Sequence, residues 1–386
     1  MYIAITGRET NLALAELEAV FGQIASLSKE VVGIELENLS YERLEHIGFT
    51  KKFAQTVKES VSLDVLANEI ANAMLGDTEG TSKLSFGISW YCNKPANRRS
   101  YLDLAKKVKK QIQAHNRSAR FIQPKEDFAL NAAQIHYNNL FKKGCEIILY
   151  GNAYQPSIAI TRWAFNPSLY SHRDYDRPAR SAKVGMFPPK LAQVLINLAS
   201  PKHTDIICDP FCGSGVVLQE GMYAGYNVVG SDNSEDMVVA SQKNLDWFSK
   251  EFHPKNTFVL SQGDARNFTA PKSSFVVVSE GYLGPGLSEK PNHALLQPIT
   301  TNLEKLYLDF FKCLVVQPNK PRAIVITLPF WQTTTGISYL NVIDQITDLG
   351  YTIRQFNSVN SAQLLYRRSQ QIVGRQVLVV ELKKTN

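Results

Sequence analysis

The strongest constraint in this sequence is one short run, Ile206-Ile207-Cys208-Asp209-Pro210-Phe211-Cys212-Gly213-Ser214-Gly215-Val216-Val217-Leu218. An apolar strand runs into an acid and a glycine turn, and a helix begins at once. In a doubly wound sheet that first turn faces the crevice in which a nucleotide-like ligand lies, and glycine lets the backbone approach it closely. Seventeen residues past Gly215, Val228-Val229-Gly230-Ser231 ends on Asp232 with Asn233 beside it. A carboxylate there can accept from a ribose diol. A third strand ends at Gly263-Asp264-Ala265, where an acid can accept from an adenine amino group.

The surrounding sequence has the alternation that such a sheet needs. Helical patterns cover Lys190 to Leu198, Val216 to Ala224, Glu235 to Lys243, a stretch before Cys313, and Tyr339 to Leu349. Strand patterns cover Asp205 to Cys208, Asn227 to Ser231, Thr257 to Ser261, Ser274 to Ser279 and Ala323 to Leu328, with further strands near Tyr351 and Val377. Strands alternating with helices imply a mostly parallel sheet covered on both faces, an α/β Rossmann-like class.

Three acids at three successive strand ends narrow the ligand. A dinucleotide fingerprint would want a third glycine near Leu218, and Asp209 would face a pyrophosphate. S-adenosylmethionine has no phosphate and carries a cationic amine and a sulfonium, so an acidic first loop favours it.

The Asp-Pro-Phe-Cys-Gly-Ser-Gly run, preceded by Gly185-Met186-Phe187-Pro188-Pro189-Lys190-Leu191-Ala192, resembles the THUMP-containing tRNA guanine-N2-methyltransferase family of the tRNA guanosine-10 type. The specific motifs span Arg173 to about Asn267; beyond them the likeness is one of element order. The resemblance implies a class I methyltransferase domain over 186–386 and a linker over 166–185. Before these it implies an α+β RNA-binding half, made of a ferredoxin-like segment over 1–60 and a THUMP-like domain over 61–165. It also implies that Asp209, Pro210, Gly213 and Gly215 frame the methionine part of S-adenosylmethionine, Asp232 and Asn233 the ribose, and Asp264 and Ala265 the adenine. Lys190 and the Pro188-Pro189 turn would close the site.

At the catalytic strand end the chain departs from that family. Methylating an exocyclic amine requires acceptors for both amine hydrogens. Related enzymes place an Asp or Asn, then Pro-Pro and an aromatic, after the fourth strand, where the ring stacks on a flipped base. Here the stretch is Ser279-Glu280-Gly281-Tyr282. In one reading Glu280 supplies the acceptor in a shifted register, Ser279 stands at the usual acid position and Tyr282 stacks the base. In the other, the site is impaired and the protein binds without turnover.

The first half reads as α+β: Tyr2-Ile3-Ala4-Ile5, a helix from Asn11 to Phe21, Val31 to Leu36, a helix from Asp64 to Met74, Leu84 to Trp90, a helix from Tyr101 to Ala114, and Glu146 to Tyr150. On the helix from Tyr101, Ala105, Val108 and Ile112 form the apolar stripe, while Lys106, Lys107 and Lys110 crowd the other faces. Arg117, Arg120 and Lys125 follow, and Lys142 and Lys143 come close behind. A net charge of +7 suits a polyanion, since each cation meeting a phosphate releases counterion. Arg173, Arg177 and Arg180, spaced along the linker, could grip phosphates or salt-bridge the domains; phosphate contact is the favoured reading, since the linker should lie across the mouth of the crevice.

The five cysteines are scattered and odd in number, which opposes a disulfide framework, and none has the neighbours of a zinc site. Neither a basic leader nor about eighteen consecutive apolar residues is present, so the expected location is cytoplasmic, away from membranes. The expectation is methyl transfer from S-adenosylmethionine to an exocyclic amine of a tRNA base, guanine N2 first. The alternatives are a DNA adenine-N6 or cytosine-N4 methyltransferase and an inactive RNA-binding protein. Whether a small activating partner subunit completes the site is left open by the sequence.

Overall fold

The computed structural model describes residues 1–80, 82–125, 127–180 and 187–383. Contacts divide the chain into two compact units: Met1–Thr10, Phe21–Glu45 and Thr50–Leu169 form the first, and Asn11–Val20, His46–Phe49 and Tyr170–Asn386 the second.

The first unit is built on one eight-stranded sheet. Its elements are β1 (Tyr2–Thr6), β2 (Ile24–Ser26), β3 (Val31–Ile34), the short α2 (Tyr41–Leu44), β4 (Thr50–Lys58), α3 (Leu66–Asp77), β5 (Leu84–Cys92), α4 (Arg98–Ala114), β6 (Ala119–Phe121), α5 (Ala132–Tyr137), α6 (Leu140–Lys143), β7 (Gly144–Asn152) and β8 (Gln155–Ala164). The strand order is β2-β3-β1-β4-β8-β7-β5-β6. Strands β5, β6 and β7 are parallel to one another, and the other pairs are antiparallel. The sheet is continuous across residue 60, because β4 pairs with β8 in a register that sets Gln55 against Ile160. Neither β4 nor β8 was legible as a strand, and β4 carries Lys52 inward, where it is fully buried against Glu146. Helix α4 starts at Arg98, three residues before the expected start, because the Asn97 side chain accepts from the Arg99 N–H at 2.9 Å and caps it. Its stripe of Tyr101, Ala105, Val108 and Ile112 is buried, while Lys106, Lys107 and Lys110 are exposed. Arg117, expected on the basic surface, is buried instead: it donates to the Ser82 and Thr78 carbonyls at 3.0 and 2.8 Å and closes the chain after α3.

The second unit contains most of α1 (Thr10–Phe21) and continues through α7 (Pro167–Tyr175), α8 (Pro189–Ala199), β9 (Ile206–Asp209), α9 (Val216–Tyr223), β10 (Val228–Asp232) and α10 (Glu235–Phe252). Then come β11 (Phe258–Gln262), β12 (Phe275–Ser279), α11 (His293–Val316), β13 (Ile324–Gln332), β14 (Ile337–Tyr339), α12 (Ile343–Asp348), β15 (Tyr351–Ile353), β16 (Leu365–Tyr366) and β17 (Val373–Leu382). The order β11-β10-β9-β12-β13 is parallel, β17 inserts antiparallel between β13 and β15, β14 pairs with β13, and β16 pairs with β17. Successive strand residues feed opposite cores. Ile207, Val276 and Val278 pack with Leu12, Leu195 and Leu218 on one face, and Cys208, Phe275 and Val277 pack with Phe310 and Phe311 on the other. Glu16 of α1 is buried in this unit, accepting from the Gly48 and Phe49 N–H groups at 2.7 and 3.0 Å and from Asn197 Nδ2 at 2.7 Å.

Two sequence expectations change here. The helix expected over 339–349 is only Ile343–Asp348, because Thr333 and Gly336 close a turn and Ile337–Tyr339 returns along β13. The stretch read as a linker from residue 166 begins with α7. No helix among the described residues is long and apolar enough to cross a membrane.

Candidate active site

The parallel order reverses between β9 and β12, so their carboxyl ends open the crevice that a doubly wound sheet offers to ligands. A cavity of about 220 Å³ lies there. Asp209, Gly213 and Glu280 face it, its apolar walls come from Phe187, Val217, Met237 and Ala240, and Arg177 and Arg180 line it too.

Asp209 ends β9 fully buried. Its Oδ1 accepts from Ser279 Oγ at 2.6 Å and from the Phe211 N–H at 3.1 Å. Burial outweighs those bonds and, with Asp232 and Glu280 nearby, pushes the carboxyl up to about 7. The turn beyond it needs its glycines. Gly213 and Gly215 stand at φ +50° and +82°, and a Cβ on Gly215 would come within 2.4 Å of Ser241 Oγ. Asp232 fastens this turn to the second strand end, accepting from the Gly213 N–H at 2.9 Å and the Ser234 N–H at 3.0 Å.

The other expected cofactor residues divide. The Asn233 carbonyl accepts from Gln262 Nε2 at 3.1 Å. Asp264 caps the turn Ala265–Asn267, and Arg266 grips its carboxylate, with Nη2 2.5 Å from Oδ2. Ala265 and Pro210 are buried. None of Pro210, Asp232, Asn233, Asp264 and Ala265 lines the cavity itself. Lys190 does not line it either; its Nζ lies 4.8 Å from the centre of the Tyr170 ring. Of the run ahead of α8, Gly185 and Met186 lie outside the described residues, while Phe187 forms cavity wall.

At the end of β12, Ser279 is fully buried. Its hydroxyl donates to Asp209 and accepts from the Gly281 N–H at 3.1 Å, which spends its only proton and one of its two lone pairs within the protein. Glu280 comes next and lines the cavity. Its Oε1 accepts from Arg375 Nε at 2.7 Å and Nη2 at 2.5 Å. Burial raises its carboxyl above the ordinary glutamate range, and the guanidinium opposes the rise. The backbone is held on both sides: Thr327 Oγ1 donates to the Glu280 carbonyl, and Tyr307 OH donates to the Tyr282 carbonyl at 2.9 Å. Gly281 turns the chain at φ +71°, where a Cβ would meet Tyr307 OH at 2.5 Å. The Tyr282 ring is half exposed.

The linker arginines require a correction. Arg173, expected as a phosphate contact, is buried, with its Nε 2.8 Å from Glu220 Oε1 and its guanidinium 3.9 Å from the Tyr223 ring centre. Arg177 is also buried and pairs with Asp174 at 3.3 Å. The Arg173 guanidinium therefore joins α7 to α9, whereas Arg177 pairs within its own stretch and lines the cavity. Arg180 is exposed, lies 5.0 Å from the Tyr175 ring centre and lines the cavity. Sequence reasoning missed Arg375 altogether, and only the pairing of β17 with β13 could have revealed it.

This geometry agrees with the comparisons. A family model described as RMKL-like, methyltransferase domain, matches residues 177–320, which contain both the glycine turn and the 279–282 strand end. A second, described as DNA methylase, matches residues 26–243, more than half of the chain. The chain belongs to this methyltransferase family. The methyltransferase is 31% identical over 126 residues to the tRNA (guanine(10)-N2)-dimethyltransferase of Methanothermobacter thermautotrophicus, a stretch covering 33% of each protein. It spans less than half the length of the curated relatives it matches. Among solved structures, TrmN from Thermus thermophilus aligns with TM-score 0.51 and 14% identity over 99% of both chains. SMU.472 complexed with SAH aligns with TM-score 0.50 and 13% identity over 100% of this chain and 99% of the other. Both share the fold.

The residues present suit S-adenosylmethionine. Gly213 leaves open space where a side chain would stand, the walls beside it are apolar, and Asp209 and Glu280 suit a cation while opposing a phosphate. Among the described residues no cluster of metal-ligating side chains occurs.

Proposed function

We propose that the methyltransferase modifies the exocyclic amine of a tRNA base, guanine N2, in the cytoplasm. The observation that carries this is the Glu280 carboxylate at the rim of the cavity that Asp209 and Gly213 line. S-adenosylmethionine supplies an electrophilic methyl group when bound. Asp209 and the glycine turn would hold its methionine end, Asp232 with Asn233 its ribose, and Asp264 with Ala265 its adenine. Glu280 accepts hydrogen from the amine, which keeps the nitrogen lone pair directed toward the reaction and takes the proton that the methylated nitrogen must shed. Tyr282, with its ring half exposed, offers a face on which a flipped base stacks.

The similarity to the Methanothermobacter enzyme supports tRNA as the substrate. So does the exposed row Lys106, Lys107 and Lys110 on α4, which would track a phosphate backbone in the manner of a THUMP-like half. The second reading, an adenine-N6 or cytosine-N4 methyltransferase acting on DNA, is favoured by the DNA methylase match. Methyl transfer from labelled S-adenosylmethionine to total tRNA and to duplex DNA, followed by nucleoside analysis, separates the two. N2-methylguanosine in tRNA is the expected product, and label confined to DNA would overturn the substrate.

A further inference from the structure

Glu280 is held from one side only. Both of its side-chain hydrogen bonds fall on Oε1, from Arg375 Nε and Nη2, and among the described residues Oε2 receives none. Arg375 is buried, and its guanidinium lies 5.8 Å from the Phe187 ring centre and 5.9 Å from that of Tyr366. The neighbouring Gly374 leaves room for Phe330, whose ring would otherwise lie 2.1 Å from a Cβ. The strand carrying Arg375 is therefore fixed in depth as well as in register, with Arg375 opposite Pro329. Ser279, at the position where related enzymes carry an acid, is committed to Asp209.

We propose that Arg375 is a positioning residue that holds the Glu280 carboxylate by Oε1 with Oε2 left for substrate, and that this pair selects guanine over adenine and cytosine. The proposal rests on the reading of the site as an exocyclic-amine methyltransferase. An ionised carboxylate oxygen only accepts, and it has lone pairs for two donors. Guanine presents two adjacent donors, N1–H and the N2 amine. In adenine the amine adjoins the N1 lone pair, and in cytosine it adjoins the N3 lone pair. A carboxylate aimed at either edge meets an acceptor, and a buried acceptor left without a donor is costly. A protonated Glu280 would lose this discrimination, because it could donate to the ring nitrogen. The charged and titratable groups facing Glu280 are Arg375, Asp209 and Tyr307, with Arg177 and Arg180 also on the cavity and Tyr366 beside Arg375. Of these, the guanidinium in contact is the one that opposes protonation of Glu280.

The test is steady-state methylation of unmodified tRNA transcripts by wild-type protein, R375K, R375M and E280Q, from about pH 6 to about pH 9, with products resolved by nucleoside mass spectrometry. S-adenosylmethionine binding, measured by calorimetry, reports on folding of each variant. In R375M, kcat at neutral pH should fall about 100-fold with KM for tRNA little changed, and the acidic limb of the profile should move to higher pH. R375K should recover part of both. In E280Q, whose amide presents a donor beside an acceptor, the share of methylated adenosine and cytidine in the residual product should rise. A wild-type acidic limb and kcat in R375M would overturn the role of Arg375. If R375M fails to bind cofactor, the acidic limb of R375K decides in the same way. Wild-type protein that methylates no guanosine would instead sink the substrate reading, an outcome distinguishable because it appears before any substitution.

Discussion

Asp209 enters the fold against a gradient that its sequence position does not reveal. Buried beside Asp232 and Glu280, its carboxyl is pushed from 3.8 up to about 7, and Glu16 under α1 is pushed from 4.5 to about 7 by burial. In both cases the folded state holds its proton more tightly than the unfolded chain does. Their contribution is therefore complete below about pH 4 and is lost as pH rises to about 7. Carboxylates such as Asp205, which burial would raise but Arg322 and Ser274 hold below the usual range, work in the opposite sense at acid pH. Urea-unfolding free energy should accordingly fall as pH rises from about 5 to about 7, and D209N should flatten that fall by up to about 1.4 kcal/mol per pH unit. Equal slopes in wild type and D209N would show that Asp209 titrates normally.

In the first unit the decisive element is β4, which links β1 to β8 and carries a lysine into the sheet. Lys52 meets Glu146 of β7 and Ser89 of β5, while Thr161 of β8 donates to Glu146 Oε2 at 2.6 Å. Removing one partner leaves the other charged and buried, at a cost of about 3–5 kcal/mol. K52M should therefore speed hydrogen exchange in peptides from β4, β5 and β7 by an amount corresponding to that loss, with peptides of the second unit unchanged. Unaltered protection in β5 and β7 would mean that the pair is not what joins these strands. Such an element is hard to read from sequence. Thr50-Lys51-Lys52-Phe53 has a lysine where alternation asks for an apolar residue, and its partner lies ninety-four residues away. The strands β5 and β9 and helices α4 and α9 were legible because their periodicity and turn residues are local. The short strand β14 was not, since Ile337-Ser338-Tyr339-Leu340 continues as smoothly into a helical pattern as into a hairpin.

Across the molecule, the candidate site is half legible in the same sense. The glycine turn and the acids at 209, 232 and 264 are separated by single strand-helix units, and order along the chain gives their order in space. Arg375 is ninety-five residues from Glu280 and reaches it only because β17 runs back antiparallel beside β13. Arg173 misled for the converse reason: a proline-bearing basic stretch looks like an exposed strap, but α7 turns this guanidinium into the Glu220 carboxylate. The proposed reaction is methyl transfer to guanine N2 in tRNA with Glu280 as the amine acceptor. The most direct measurement is nucleoside mass spectrometry of tRNA incubated with S-adenosylmethionine and either wild-type protein or E280Q. N2-methylguanosine is expected with wild type and at least about a 100-fold lower yield with E280Q, although both bind the cofactor. Equal yields from the two proteins, or methylation by wild type of a base other than guanine, would contradict it.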